Sequence, residues 1–154
     1  MHLHLGSFSF ATEAETADWA GAVAPHLKRG DTLLLSGAIG AGKSAFARAL
    51  IRARLSNPFE EVPSPTFTIV QTYPHEDCDI WHCDLYRLQS SDEALELGLD
   101  EAFETAICLI EWPDRLGSLA PGNALRLAFE AGPDAHRVEV SGLQSWAHRL
   151  EGLS

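Results

Sequence analysis

The sequence predicts an α/β protein: a mostly parallel sheet flanked by helices, with an added antiparallel portion. Three observations carry that reading. Segments with strand periodicity and segments with helical periodicity interleave along the chain. Thr32-Leu33-Leu34-Leu35-Ser36 is a short apolar run of the kind parallel sheets bury on both faces, and a glycine-rich loop and an amphipathic stretch follow it directly. Late in the chain, two alternating segments joined across Gly132-Pro133-Asp134 have the pattern of a hairpin.

Each element has its own signal. Residues 5–10 alternate apolar and polar like a strand, and Thr12-Glu13-Ala14-Glu15 has the form of a capping box that opens a helix running to about residue 27. Gly30-Asp31 marks a turn before the central strand 32–36. Residues 44–55 place Ala, Phe, Leu and Ile at helical spacing, with Arg48 and Arg52 four apart on another face. Asn57-Pro58 and Pro63-Ser64-Pro65 bracket a loop, because proline restricts itself and its predecessor to turn or extended shapes. Residues 67–73 and 79–85 read as two strands separated by the polar stretch 74–77. Ser90 and Glu93 form a second capping-box pattern, leading into a short helix that Gly98 ends. Residues 106–110 form an apolar strand closed by Glu111, residues 123–130 and 136–141 form the hairpin, and residues 143–150 a last helix.

Composition bounds the function. A chain of 154 residues is long enough for one domain with a substantial core, without disulfides or a structural metal. We therefore read residues 1–154 as a single domain. Lys and Arg number 11 against 22 Asp and Glu, a net charge of −11, which is the wrong sign for unaided binding to a phosphate backbone. No run of 18 apolar residues is present, and Met1-His2-Leu3-His4-Leu5-Gly6 lacks the basic and apolar regions of a signal peptide, so the expected location is the cytoplasm, with no membrane partner. Cys78, Cys83 and Cys108 are odd in number and unevenly spaced, which suits free thiols in a reducing compartment. A metal site on Cys78, His82 and Cys83 with His75 is the weaker reading, because His82 and Cys83 alternate to opposite faces of a strand.

The strongest signal is Gly37-Ala38-Ile39-Gly40-Ala41-Gly42-Lys43-Ser44, which satisfies G-x-x-x-x-G-K-[ST] without a mismatch. With Gly at about 7% of residues, and Lys and Ser plus Thr at roughly 6% and 12%, about 0.005 such matches arise by chance in a chain of this length. The motif also lies between an apolar strand and an amphipathic helix, the context it requires. It makes the expected fold P-loop NTPase-like. Glycines let successive N–H groups point inward around phosphate oxygens, and the helix opening at Ser44-Ala45 adds its partial positive charge. Lys43 is then expected at the β- and γ-phosphates, and the Ser44 hydroxyl on Mg²⁺.

Such a site also needs an acid for the metal and a group that positions the nucleophile. Glu111, at the C-terminal end of a buried strand, is the candidate for holding Mg²⁺ directly or through water, against an ordinary strand-end carboxylate. Asp84, ending another strand, either orients the attacking water or the metal's surroundings, or caps a loop. Thr66, in Ser64-Pro65-Thr66-Phe67, either swings over the γ-phosphate on a mobile loop or is a turn hydroxyl. Trp112, between Glu111 and Pro113, either packs or stacks on a ligand or partner.

These motifs together resemble the bacterial TsaE (YjeE) family of small P-loop ATPases. The matching pieces are Gly40-Ala41-Gly42-Lys43-Ser44, Ser64-Pro65-Thr66-Phe67-Thr68-Ile69-Val70, His82-Cys83-Asp84-Leu85-Tyr86-Arg87-Leu88, Leu97-Gly98-Leu99 with Glu101, and Ile110-Glu111-Trp112. They occur in the family's order from about residue 10 to residue 130. The chain departs from the family pattern at Ala38-Ile39, where Asp-Leu is common, at Ser44, where Thr is common, and at Cys83. The resemblance implies a Mg-dependent ATPase, slow alone and stimulated by partners, that serves threonylcarbamoyl modification of the adenosine beside the anticodon in tRNAs reading A-starting codons. It implies TsaB and TsaD as partners, with TsaD as the transferase and tRNA reached only through the complex. By the same motifs, Lys43 and Ser44 bind phosphates and Mg²⁺, Thr66 senses the γ-phosphate region, Asp84 assists hydrolysis and Glu111 serves the metal.

Two other functions fit the loop. A small-molecule kinase needs arginines converging on the transferred phosphate, whereas Arg87, Arg115, Arg126, Arg137 and Arg149 are scattered. A nucleotide-gated interaction module would bind without appreciable hydrolysis.

Overall fold

The computed structural model describes residues 2–153; Met1 and Ser154, the two ends of the expected domain, lie outside the described residues. Seven strands form one sheet: β1 (Leu3–Phe10), β2 (Thr32–Ser36), β3 (Val70–Tyr73), β4 (Ile80–Asp84), β5 (Ile107–Glu111), β6 (Leu125–Ala131) and β7 (His136–Gly142), in the order β1-β7-β6-β2-β5-β4-β3. The centre is parallel, with β2 paired to both β5 and β6, and β4 paired to β5. Both edges are antiparallel: β3 returns beside β4, while β7 and β1 extend the sheet beyond β6. This is the expected α/β class, and the late hairpin is the β6–β7 pair.

Among the described residues, five α-helices cover the sheet: α1 (Glu13–Val23), α2 (Lys43–Leu55), α3 (Ser91–Glu96), α4 (Leu99–Thr105) and α5 (Gln144–Arg149). One face carries Leu33, Leu35, Ile80, Ile107 and Leu109 and is packed by Ala20 and Val23 of α1 and Phe46, Ala47, Leu50 and Ile51 of α2. The opposite face carries Leu34, Cys83, Cys108 and Ile110 and is packed by Ala94 of α3 and Leu99 and Ala102 of α4. Burial on both faces is why β2 and β5 read as unbroken apolar runs instead of alternating ones. Among the described residues, no helix is long and apolar enough to cross a membrane.

The N-cap half of the α1 capping box forms as expected, with the Glu15 N–H donating to Thr12 Oγ1, while the Glu15 carboxylate reaches one residue past the cap and accepts from the Ala11 N–H. The helix stops at Val23 and tightens into a 3-10 turn at Ala24–His26, because Pro25 has no N–H to continue it. Three expectations are corrected. Residues 67–69 form a turn in place of the start of a strand, with Ile69 at φ 70 and its N–H donating to the Pro65 carbonyl at 2.7 Å. The Ser90 side chain makes no cap; Glu93 instead accepts from the Gln89 N–H at 2.9 Å. Gly98, at φ 82, ends α3 but also opens α4, whose first turn carries Asp100 and Glu101 where the helix dipole favours acids. That second helix was not expected.

Candidate active site

Parallel strands deliver their C-terminal ends to one edge of a sheet, and the loops that follow make the crevice there. Glu111 ends β5 opposite Leu35 of β2 on one side and Asp84 of β4 on the other. The loop after β2 and the N-terminus of α2 therefore close over two carboxylates. The resulting cleft, of about 630 Å³, is lined by Ile39, Gly40, Gly42, Lys43, Ser44, Ala45, Thr66, Asp84 and Glu111 together. Its far wall comes from Phe10 to Glu13 before and within α1, and from Asp134 to His136 at the β6–β7 turn.

Three expected loop residues stand apart. Gly37 and Ala38 border a smaller depression beside Trp112, and Ala41 is buried under the loop, its N–H donating to the Ala38 carbonyl at 3.2 Å. Ile39, at the loop's tip, is 88% exposed. Gly37, Gly40 and Gly42 all have positive φ, and Gly42 opens α2 with no side-chain cap. The first N–H groups of a 13-residue helix therefore meet no side-chain acceptor, which is the condition for holding an anion.

Lys43 is 5% exposed. Its ammonium donates to the Gly37 carbonyl at 2.6 Å and lies 4.4 Å from the centroid of the Trp112 ring. Burial pulls its pKa down, and the nearby Glu111 and Asp84 carboxylates oppose that shift. Trp112 packs against Tyr86, with ring centroids 4.9 Å apart, which is the packing role weighed for it, and it also borders the cleft. Asp84 accepts from the Tyr86 N–H at 3.0 Å through Oδ1, while Oδ2 faces Thr66 Oγ1 at 3.5 Å. Thr66 Oγ1 is also 2.8 Å from Ser64 Oγ, so the Pro-rich loop rests on the end of β4. Glu111, 4% exposed, meets Nε2 of the buried His82 at 2.7 Å.

That last contact was not expected from the sequence, which presented His82 as a weak metal candidate and as part of a family motif, with no role of its own. Strand alternation contained the signal. Cys83 faces the opposite side, among the residues packed under α3 and α4, while His82 shares its face with Asp84 and points toward the neighbouring strand's carboxylate. Cys78, Cys83 and Cys108 are buried free thiols. Of the arginines, Arg48 of α2 lines the cleft, and its guanidinium is 3.7 Å from Glu13. The far wall had no local signal, because it is assembled from segments more than a hundred residues apart.

A sheet with a parallel centre, a glycine loop feeding an uncapped helix, a buried lysine and two strand-end carboxylates define a protein of the P-loop NTPase-like α/β class. The model of the TsaE family, described as threonylcarbamoyl adenosine biosynthesis protein TsaE, matches residues 10–138. The chain belongs to the TsaE family. It is 42% identical over 127 residues to the tRNA threonylcarbamoyladenosine biosynthesis protein TsaE of Rickettsia bellii, covering 82% of this chain and 88% of that one. Identity to the Bacillus subtilis protein of the same name is 36% over 131 residues, 84% of this chain and 80% of the relative. The crystal structure of Bacillus subtilis YdiB superposes with a TM-score of 0.77 at 28% identity, over 99% of this chain and 94% of that one.

Proposed function

We propose that this chain is the ATP-binding and ATP-hydrolysing component of threonylcarbamoyladenosine formation in tRNA, acting with Mg²⁺ in the cytoplasm beside the TsaB and TsaD proteins. One observation carries the nucleotide reading: Lys43, Asp84 and Glu111 converge on a cleft whose floor is an uncapped helix N-terminus. Family membership carries the tRNA-modification reading.

The donor set fits a nucleotide with a divalent ion. The loop N–H groups and the first turn of α2 would cradle the phosphates, and Lys43 would leave the Gly37 carbonyl to pair with their outer oxygens. Ser44 and Glu111 supply hard oxygen ligands of the kind Mg²⁺ takes. When bound, that ion offsets phosphate charge and stabilises the negative charge that develops on the leaving oxygens. Asp84 would accept a proton contact from the attacking water, and Thr66, already leaning on Asp84, would complete the site as its loop closes. The transferase chemistry belongs to TsaD in this reading. With a net charge of −11, the chain leaves tRNA to its partners.

The test pairs binding with turnover. Lys43→Ala removes charge-assisted hydrogen bonds worth about 1.5–3 kcal/mol each, so calorimetry is expected to show ATP affinity lowered at least about tenfold per bond lost, with phosphate release nearly abolished. Wild-type protein is expected to release phosphate slowly alone and faster with TsaB and TsaD, and to leave tRNA unshifted on a gel at about 0.15 M salt. Unchanged behaviour of Lys43→Ala would remove the nucleotide site. Tight tRNA binding by the free chain, or indifference to both partners, would favour the small-molecule kinase.

A further inference from the structure

His82 and Glu111 come from adjacent parallel strands. His82 of β4 pairs with Leu109 of β5, and Asp84 pairs with Glu111, so His82 and Glu111 are diagonal neighbours on the face that α2 covers. Their side chains are 2% and 5% exposed, and Nε2 of His82 lies 2.7 Å from Oε2 of Glu111. The contact assigns the ring proton: Nε2–H donates, because a carboxylate oxygen accepts. Among the described residues, Nδ1 of His82 is buried with no partner, so the ring's one polar engagement there is Glu111. Among the described residues, no second side chain donates to Glu111.

We infer that His82 is a positioning residue: by holding Oε2 of Glu111 from behind, it fixes the carboxylate so that Oε1 is the oxygen presented to the cleft. The inference rests on the role given to Glu111 under Proposed function and extends it to a residue that role does not use. A glutamate has three side-chain torsions, and an untethered carboxylate at this depth would have to order itself each time it takes a ligand. A histidine behind it removes that freedom in advance. Partners that hold a metal-binding side chain from the far side are typically worth about tenfold to a hundredfold in metal affinity or activity.

The length of the replacement side chain separates positioning from mere filling of the core. The amide nitrogen of glutamine reaches about as far as Nε2, whereas that of asparagine reaches only about as far as Nδ1. The full-length variants His82→Gln, His82→Asn and His82→Leu are compared in three measurements: ADP affinity in EDTA, Mn²⁺ affinity of the ADP complex by electron paramagnetic resonance, and ATP turnover with TsaB and TsaD. His82→Asn and His82→Leu are expected to lose about tenfold or more in both Mn²⁺ affinity and kcat, with ADP affinity in EDTA changed less than about twofold. His82→Gln is expected to stay within about threefold of wild type in all three. Should the leucine variant fail to fold, the glutamine and asparagine pair decides alone.

Equal behaviour of those two variants, or a loss confined to ADP affinity in EDTA, would overturn the inference while leaving the ATPase reading intact. A wild-type protein that binds neither ADP nor Mn²⁺–ADP and does not turn over ATP would overturn both.

Discussion

The first glycine of the phosphate loop lies directly against the backbone of Phe129: a Cβ on Gly37 would overlap the Phe129 carbonyl oxygen. β6 runs beside β2 with Ala128 opposite Ser36, and this register brings the next carbonyl onto the point where the chain leaves the sheet. Gly37 also has φ 132, outside the range an L side chain adopts readily. Gly40 differs, since at φ 85 nothing lies within 4 Å of its missing Cβ. We expect Gly37→Ala to cost about 2–5 kcal/mol from backbone strain and overpacking together. Gly40→Ala is expected to cost only about 1–2 kcal/mol, for a left-handed residue alone. Urea unfolding of the two variants checks the ranking; equal losses would mean that β6 yields at Phe129.

Asp84 and Glu111 occupy equivalent ends of β4 and β5, yet their surroundings differ. Asp84 is held by the Tyr86 N–H and approached by Thr66, while Glu111 is backed by His82. Neither belongs to the backbone that would grip the phosphates. Asp84→Ala and Glu111→Gln are therefore expected to retain nucleotide binding while turnover falls at least about tenfold, or about 1.4 kcal/mol in the barrier. Calorimetry beside steady-state phosphate release checks this. Unchanged turnover in both variants would remove the two carboxylates from the reaction.

The thiols provide a test that is independent of function. Burial pushes up the pKa of Cys78 and Cys83, and that of Cys108 to about 12. At pH 8 the native protein is expected to react slowly with Ellman's reagent and to release three equivalents once denatured, the number of cysteines in the chain. The sign of the stability effect follows. Between the ordinary thiol value of 9.0 and about 12, native Cys108 keeps a proton that the unfolded chain has released, so stability falls as pH rises through that window. Rapid native labelling at pH 8 would show that the protein opens at the segment before β4, which carries Cys78, or at β4 or β5, which carry Cys83 and Cys108.

Local sequence determined much of this protein. The strand 32–36, the glycine loop and the helix after it were legible because each is written in contiguous residues: a doubly buried apolar run, backbone shapes open to glycine, and helical spacing. Asp84 and Glu111 stood out as acids closing apolar strands. Even the turn at Ile69 and the helix after Gly98 left local traces, in Pro65 and in Asp100 and Glu101, but the strand pattern of residues 67–73 and a helix-ending glycine suggested simpler readings. Strand order lay beyond such reasoning. Which ends become neighbours depends on pairings across most of the chain, such as β1 with β7 and β2 with both β5 and β6. Tertiary structure alone set Glu111 beside Asp84, turned the imidazole of His82 onto that carboxylate, seated Lys43 over Trp112 and brought residues 10–13 opposite residues 134–136. The physical reason is range: periodicity fixes which face of a strand a side chain takes, whereas the partner on that face is chosen by hydrogen bonds and packing between strands far apart in the chain.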